Sequence, residues 1–163
     1  MQFVATADLP DAVPHFAQLQ HDAWSHLYPK LSVEHYTRDL LTLGWERESP
    51  ESSRLAWFAL DDLGRPVGVA MLLGAGEVEP ADEIDLPGPW FAGLVVEPSF
   101  RSQGFGTELL RHVMGRAARL GYPHLRLVTE SASGLYARHG WTIERTVVLN
   151  SVPNTVMFTT LGS

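Results

Sequence analysis

Cysteine is absent from the 163 residues, which removes disulfides, thiolate chemistry and cysteine metal sites together. An acyl-cysteine intermediate is excluded with them. No apolar run approaches the ~20 residues of a membrane-spanning helix. Met1-Gln2-Phe3-Val4-Ala5-Thr6 has no basic region leading into an apolar one. No membrane partner and no secretory leader are therefore expected, and a reduced, cytoplasmic setting fits. Basic residues are in short supply: 12 Lys and Arg against 19 Asp and Glu leave a formal charge of −7. That argues against a nucleic-acid partner and fits either a cationic ligand or simple solubility. There is no Gly-x-Ser-x-Gly for a serine hydrolase and no His-Glu-x-x-His. No metal is expected, although four of the seven histidines (His15, His21, His26, His35) fall in the N-terminal third.

What is present is the composition of an ordinary folded domain, 45% hydrophobic and 19% charged. The length suits one domain, 1–163, with a substantial core. Phe3–Thr6 reads as a first strand and Asp8 as the cap of a helix running to His21–Trp24. Ser32 opens a second helix with Val33, Tyr36, Leu40 and Leu41 inward and Gly44 as its stop. Leu55–Leu60 and Pro66–Leu73 form a hairpin about Asp61–Arg65, and Val67–Leu72, apolar throughout, predicts a strand covered on both faces. Gly74–Pro89 is a loop with five acids, Glu77, Glu79, Asp82, Glu83 and Asp85. Trp90–Val96, a long helix ending at Gly121-Tyr122-Pro123, His124–Val128, a short helix capped by Ser131, and a closing hairpin about Val152-Pro153-Asn154 complete the chain. The order βααβββαβαββ is mixed α/β.

The most informative stretch runs from Gly93 to Leu110. Leu94, Val95 and Val96 have the make-up of a buried strand, which Pro98 ends. Arg101-x-x-Gly104-x-Gly106 then opens directly onto a helix with Leu109, Leu110, Val113, Met114, Ala117 and Leu120 at helical spacing. A glycine turn at a helix N-terminus presents unpaired N–H groups at the positive end of the helix dipole, with no Cβ atoms in the way. This is a diphosphate cradle. It is not a P-loop, because no Gly-Lys-Ser/Thr follows, and it lacks the third glycine and the acid about 20 residues on of the dinucleotide fingerprint. The same turn without any ligand, or with a plain nucleotide, is the competing account.

Arg-x-x-Gly-x-Gly after a Val-x-Pro strand end resembles the acyl-coenzyme-A-binding segment of the GNAT superfamily of N-acyltransferases. Ala132-Ser133-Gly134-Leu135-Tyr136 resembles the same family's Ala-x-x-hydrophobic-Tyr element, and together the two segments span about Trp90–Trp141. The resemblance implies a single mixed-sheet GNAT-like domain, a central twisted sheet flanked by helices. It implies acetyl-CoA as co-substrate and no metal. Ser102, Gln103, Gly104, Phe105, Gly106 and Thr107 would hold the diphosphate, with Arg101 adding charge. Leu94 and Val96 would offer backbone groups to the pantetheine, and Val95 or a neighbour in a splayed part of the strand would polarise the thioester carbonyl. Tyr136 would protonate the departing thiolate, a role open to a phenol that is neutral at physiological pH; an aromatic packed in the core is the alternative.

Two departures from the family pattern stand out. Thr129 occupies a position where the family often has an asparagine that holds the pantetheine arm. Trp90, Phe91, Ala92 and Gly93 occupy the region where many members carry a glutamate base. Glu83, Asp85, Glu97 or a water chain are the substitutes the sequence offers, and none is singled out. Trp24, Tyr28, His35 and Tyr36 line an acceptor pocket or belong to the core. The expected activity is transfer of an acetyl group from acetyl-CoA to a primary amine of a small molecule or peptide, by direct attack in a ternary complex. The acidic loop points weakly to a polyamine, aminoglycoside or basic peptide. A non-catalytic CoA-binding or protein-interaction module on the same fold is the rival, and a homodimer is in keeping with the family.

Overall fold

The computed structural model describes residues 1–42, 54–74, 84 and 86–162, and among them the chain order is that read from the sequence. The elements are β1 (Gln2–Ala5), α1 (Val13–Trp24), α2 (Val33–Thr42), β2 (Arg54–Leu60), β3 (Pro66–Leu73), β4 (Trp90–Val96), α3 (Phe105–Arg119), β5 (His124–Thr129), α4 (Ser133–Ala137), β6 (Thr142–Leu149) and β7 (Val152–Thr160). The strands make one 7-stranded sheet in the order β1-β2-β3-β4-β5-β7-β6. Every pairing is antiparallel except β4 with β5, and that parallel pair is the one joined by a helical crossover, α3. Gly44 and the five loop acids lie outside the described residues.

A core lies on each face of the sheet. Val13, Phe16, Ala17, Tyr36 and Leu40 of α1 and α2 pack on Phe58, Val69, Trp90 and Val95. Leu109, Leu110, Val113 and Ala117 of α3, with Tyr136 and Trp141, pack on Ala70, Leu72, Phe91, Leu125 and Leu127. β3 serves both, so its unbroken apolar run is the sequence of a strand covered twice. Gly68 lets α3 come close: a Cβ there would stand 3.0 Å from Leu109 Cδ1. At its far end α3 closes on Gly121 (φ +92°), with Gly121 N–H donating to Ala118 O and Tyr122 N–H to Ala117 O, a Schellman cap.

The differences from the sequence reading are local. Asp8 caps no helix: α1 begins at Val13, after two short 3₁₀ turns. Pro14 is the reason, because inside a helix begun at Asp8 it would lack its N–H and its ring would strike the carbonyl of Pro10. In the first turn of α1 it does neither harm. Ser32 does cap α2, its Oγ accepting from His35 N at 3.2 Å, but Leu41 points outward at 38% exposure. The last hairpin turns at Asn150-Ser151 (φ +47° and +65°), not at Pro153. Pro153 sits within β7 beyond Thr155, the last residue paired with β5, so no ladder on that side needs its N–H.

Candidate active site

β4 positions both halves of the site. Opposite β3, Val95 pairs with Val69 and Ala92 with Met71, so three steps of β4 span two of β3. The extra residue is a bulge, and Gly93 adopts φ +70° within it. A Cβ at Gly93 would lie 2.8 Å from Met71 Cε and 3.0 Å from Gln20 Nε2. The buried Gln20 side chain of α1 instead donates to Gly93 O at 3.0 Å, tying the bulge to the helix above. On its other side β4 meets β5 in register only at Trp90 opposite Arg126, held by Arg126 N–H to Pro89 O at 3.0 Å. Beyond that pair the two strands part.

The parting opens a cavity of about 520 Å³. Its floor is Phe91, Ala92, Gly93 and Leu94 of β4 with Leu127, Val128 and Thr129 of β5. Trp24, Leu27 and Tyr28 at the end of α1 and His35, Tyr36 and Asp39 of α2 form one wall, and Glu130, Ala132, Leu135 and Tyr136 form another. The sequence left Trp24, Tyr28, His35 and Tyr36 open between pocket and core. All four line the cavity, and Tyr36 also belongs to the core beneath it.

Tyr136 is 8% exposed, edge-on to Phe91 and Trp141 at ring separations of 6.3 and 6.1 Å. Burial pushes its phenol up to about 12. It stays protonated across the physiological range. α4, which carries it, has no side-chain cap, from Ser131 or any other residue; the turn leading into it is closed from the end of β5, where Thr129 Oγ1 accepts from Ala132 N at 3.0 Å. The Thr129 hydroxyl thus has a structural task.

The cradle adjoins this cavity through Leu94, which lines it, while Leu94 Cδ2 and Val96 Cγ2 both lie 3.9 Å from a Cβ built on Gly106. Gly104 is the N-cap of α3 at φ +90°, no side chain caps the helix, and the first intrahelical bond runs from Glu108 N to Gly104 O at 3.0 Å. The amides of Phe105, Gly106 and Thr107 therefore have no partner within the helix. Arg101 to Gly104 are exposed, and a Cβ on Gly104 would meet no atom within 4 Å, so the space before the turn is open. Ser102 shares the left-handed backbone at φ +64°. Arg101 folds back, Nε donating to Val96 O at 3.2 Å, and Gln103 Nε2 donates to Ser99 O at 3.3 Å. Val95 lies in the still-paired part of β4 opposite Val69 and contributes to the core, outside the cavity wall.

Of the acids weighed as bases, Glu97 pairs with His15 Nε2 on α1, and Glu83 and Asp85 fall outside the described residues. The carboxylates that line the cavity are ones the sequence reading missed. Asp39 Oδ2 stands 3.2 Å from His35 Nε2, and Glu130 Oε2 stands 2.7 Å from His26 Nε2. The signal for Asp39 was its place three residues after Tyr36, on the same face of α2.

With this geometry in view, the comparisons decide the family. The model of the acetyltransferase (GNAT) family matches residues 14–141. The chain belongs to that family. No curated protein matches the sequence. Among solved structures, the fold is similar to aminoglycoside 6'-acetyltransferase type Ii, with 20% identity, TM-score 0.70 and coverage of 100% of this chain and 99% of that one. An aminoglycoside 6'-N-acetyltransferase complexed with coenzyme A matches at 18% identity and TM-score 0.69 over 100% and 98% of the two chains. An acyl-CoA N-acyltransferase from Pseudomonas aeruginosa matches at 17% identity and TM-score 0.63 over 97% of each. At these identities the likeness concerns the fold, a GNAT sheet with its flanking helices, and membership carries acyltransferase chemistry with it.

Proposed function

We propose that this GNAT protein transfers an acetyl group from acetyl-CoA to a primary amine in one ternary complex. The observation that carries the reading is the parting of β4 from β5. It makes a cavity with a buried neutral phenol in its wall and an uncapped helix N-terminus at its edge. Acetyl-CoA would supply an activated acyl group and a thiol leaving group. The amides of Phe105, Gly106 and Thr107 and the turn from Ser102 to Gly104 fit a diphosphate, since nothing of the protein fills the space before them. Arg101 adds positive charge once it swings off Val96 O.

At the reacting end, the backbone of the bulge, not Val95, is where the cavity meets free strand edge, and an N–H there would polarise the thioester carbonyl. The amine nitrogen bonds to the carbonyl carbon as the carbon–sulfur bond breaks. Tyr136 gives its phenolic proton to the sulfur, and the phenolate takes up the proton that the new amide nitrogen must lose. The burial that raises the phenol keeps it protonated, so it has a proton to give. The ammonium must shed a proton before it attacks, and the Asp39–His35 and Glu130–His26 pairs supply proton acceptors on the cavity wall.

Thermal unfolding with coenzyme A, acetyl-CoA and a nucleotide lacking pantetheine tests the donor half. At 100 times its dissociation constant a ligand adds about 2.7 kcal/mol. Stabilisation by the first two alone, with thiol release that depends on amine, is the expected result. CoA binding with no amine-dependent release would mark a non-catalytic CoA-binding module, and no stabilisation at all would end the reading.

A further inference from the structure

We infer that the acceptor is a compact amine with one ammonium group on an apolar, ring-sized body, not a polyhydroxylated polycation. The inference rests on the acetyl-transfer reading above and concerns what fills the cavity beside the acyl group.

The cavity of about 520 Å³ falls low in the range of ~300–1,000 Å³ usual for small-molecule sites. It must also admit the acyl end of the donor, so room for the acceptor body is limited. Apolar and aromatic side chains supply part of what surrounds that body: Trp24, Leu27, Tyr28 and Leu31 on the helical side, Met71 and Leu73 beneath. Three polar groups on the wall each hold one bond within the protein. Gln20 Nε2 donates to Gly93 O, Asn154 Nδ2 to Val152 O at 3.1 Å, and Thr129 Oγ1 accepts from Ala132 N, while Gln20 Oε1 is buried without a partner among the described residues. Beyond that oxygen and the wall carboxylates, the many hydroxyls of a sugar-like acceptor would find few partners, an unfavourable exchange for the water they leave.

The charge is one-sided. Among the described residues no lysine or arginine lines the cavity, whereas two carboxylates do, Asp39 from α2 and Glu130 from the end of β5. An ionised carboxylate has about four lone-pair sites, so the contact of Glu130 with the His26 imidazole leaves capacity for an ammonium. Trp24 and Tyr28 add ring faces that favour a cation over a neutral head.

The test compares kcat/KM for 2-phenylethylamine and cyclohexylmethylamine with that for spermidine and kanamycin. The apolar monoamines are expected to lead by at least tenfold. On the unaltered protein, N,N-dimethyl-2-phenylethylamine, a cation that cannot be acylated, should inhibit at tenfold lower concentration than neutral 2-phenylethanol. Trp24→Ala and the pair Asp39→Asn with Glu130→Gln should each raise KM for the monoamine tenfold or more while the CoA-induced shift in Tm is kept. Preference for spermidine or kanamycin, or equal inhibition by the tertiary amine and the alcohol, would overturn the inference and leave acetyl transfer standing. Failure of every amine to release thiol would overturn both.

Discussion

The two regions proposed to hold ligands are built on opposite principles. The cradle at the start of α3 comes from one continuous stretch, Arg101 to Glu108, exposed as far as Gly104 and half-buried beyond, and presents backbone. The cavity draws on α1, α2, β3, β4, β5, α4 and β7 and presents side chains. A backbone site needs only permissive residues in a row and recognises a group common to many ligands. A side-chain site is assembled by the whole fold and recognises a particular one. The shared half of the reaction is thus written locally, and the private half is written in packing.

That contrast can be broken by experiment, and the largest effect is expected at Tyr136. Tyr136→Phe should lower kcat by about 10²–10⁴-fold, the usual scale for a lost general acid, with the CoA-induced stabilisation intact. Unchanged turnover would reduce Tyr136 to packing. The same phenol adds a pH signature: its folded value of about 12 lies above its ordinary 10.0. The unfolded chain gives up that proton first, so stability falls as pH climbs from 10.0 towards about 12, and the phenylalanine variant should lack that component in urea titrations.

Next comes Gly93→Ala, which forces a Cβ onto Met71 and Gln20 at φ +70°. Backbone strain of this kind costs about 1–3 kcal/mol, so a loss of about 2 kcal/mol in denaturant unfolding is expected, with the acceptor KM raised as the bulge shifts. Gly104→Val is the donor-side counterpart. Its Cβ meets no protein atom, yet a β-branched residue resists φ +90°. A tenfold loss of donor affinity would cut the ligand-induced stabilisation from about 2.7 to about 1.4 kcal/mol, while inhibition by an unreactive amine stays as it was. Equal damage to both ligands would erase the division between the regions.

The smallest effect should come from His112, which touches neither region. It stacks on Phe3 at 4.2 Å and meets Trp57 edge-on at 5.0 Å. Burial first, then the nearby Arg119 charge, hold its imidazole below the usual 6.5. As pH falls through that value the unfolded chain takes up the proton before the folded one, so stability declines on the acid side and is level above it. His112→Gln should flatten this acid limb in denaturant titrations at no cost to CoA binding.

Most of the fold was legible because its signals are local. Periodicity marked β3 as doubly covered, and Gly121 and Ser32 marked helix ends. The start of α1 was misread because Asp8 and Pro10 look like a cap, while Pro14, four residues on, is what decides where a helix can begin. The hairpin at Asn150-Ser151 was hidden by Pro153, which is tolerated only because β5 ends before reaching it. In the site, the glycine turn and Tyr136 stood where the motifs put them. Of the two places offered for the carbonyl contact, Val95 lies in the core opposite Val69 and its neighbours at the bulge face the cavity, a matter of register that no single strand's sequence reveals.

By itself the sequence determined the element order, the two-faced burial of the sheet and the glycine turn that opens α3, since apolar period, glycine position and a bare helix start are properties of neighbouring residues. Only the tertiary structure decided that β4 leaves β5 after Trp90, that Asp39 and Glu130 face the same cavity, and that Thr129 closes the turn into α4. The physical reason is sequence distance. Glu130 and His26 lie 104 residues apart, and nothing along the chain couples them until the folded sheet brings them within 2.7 Å.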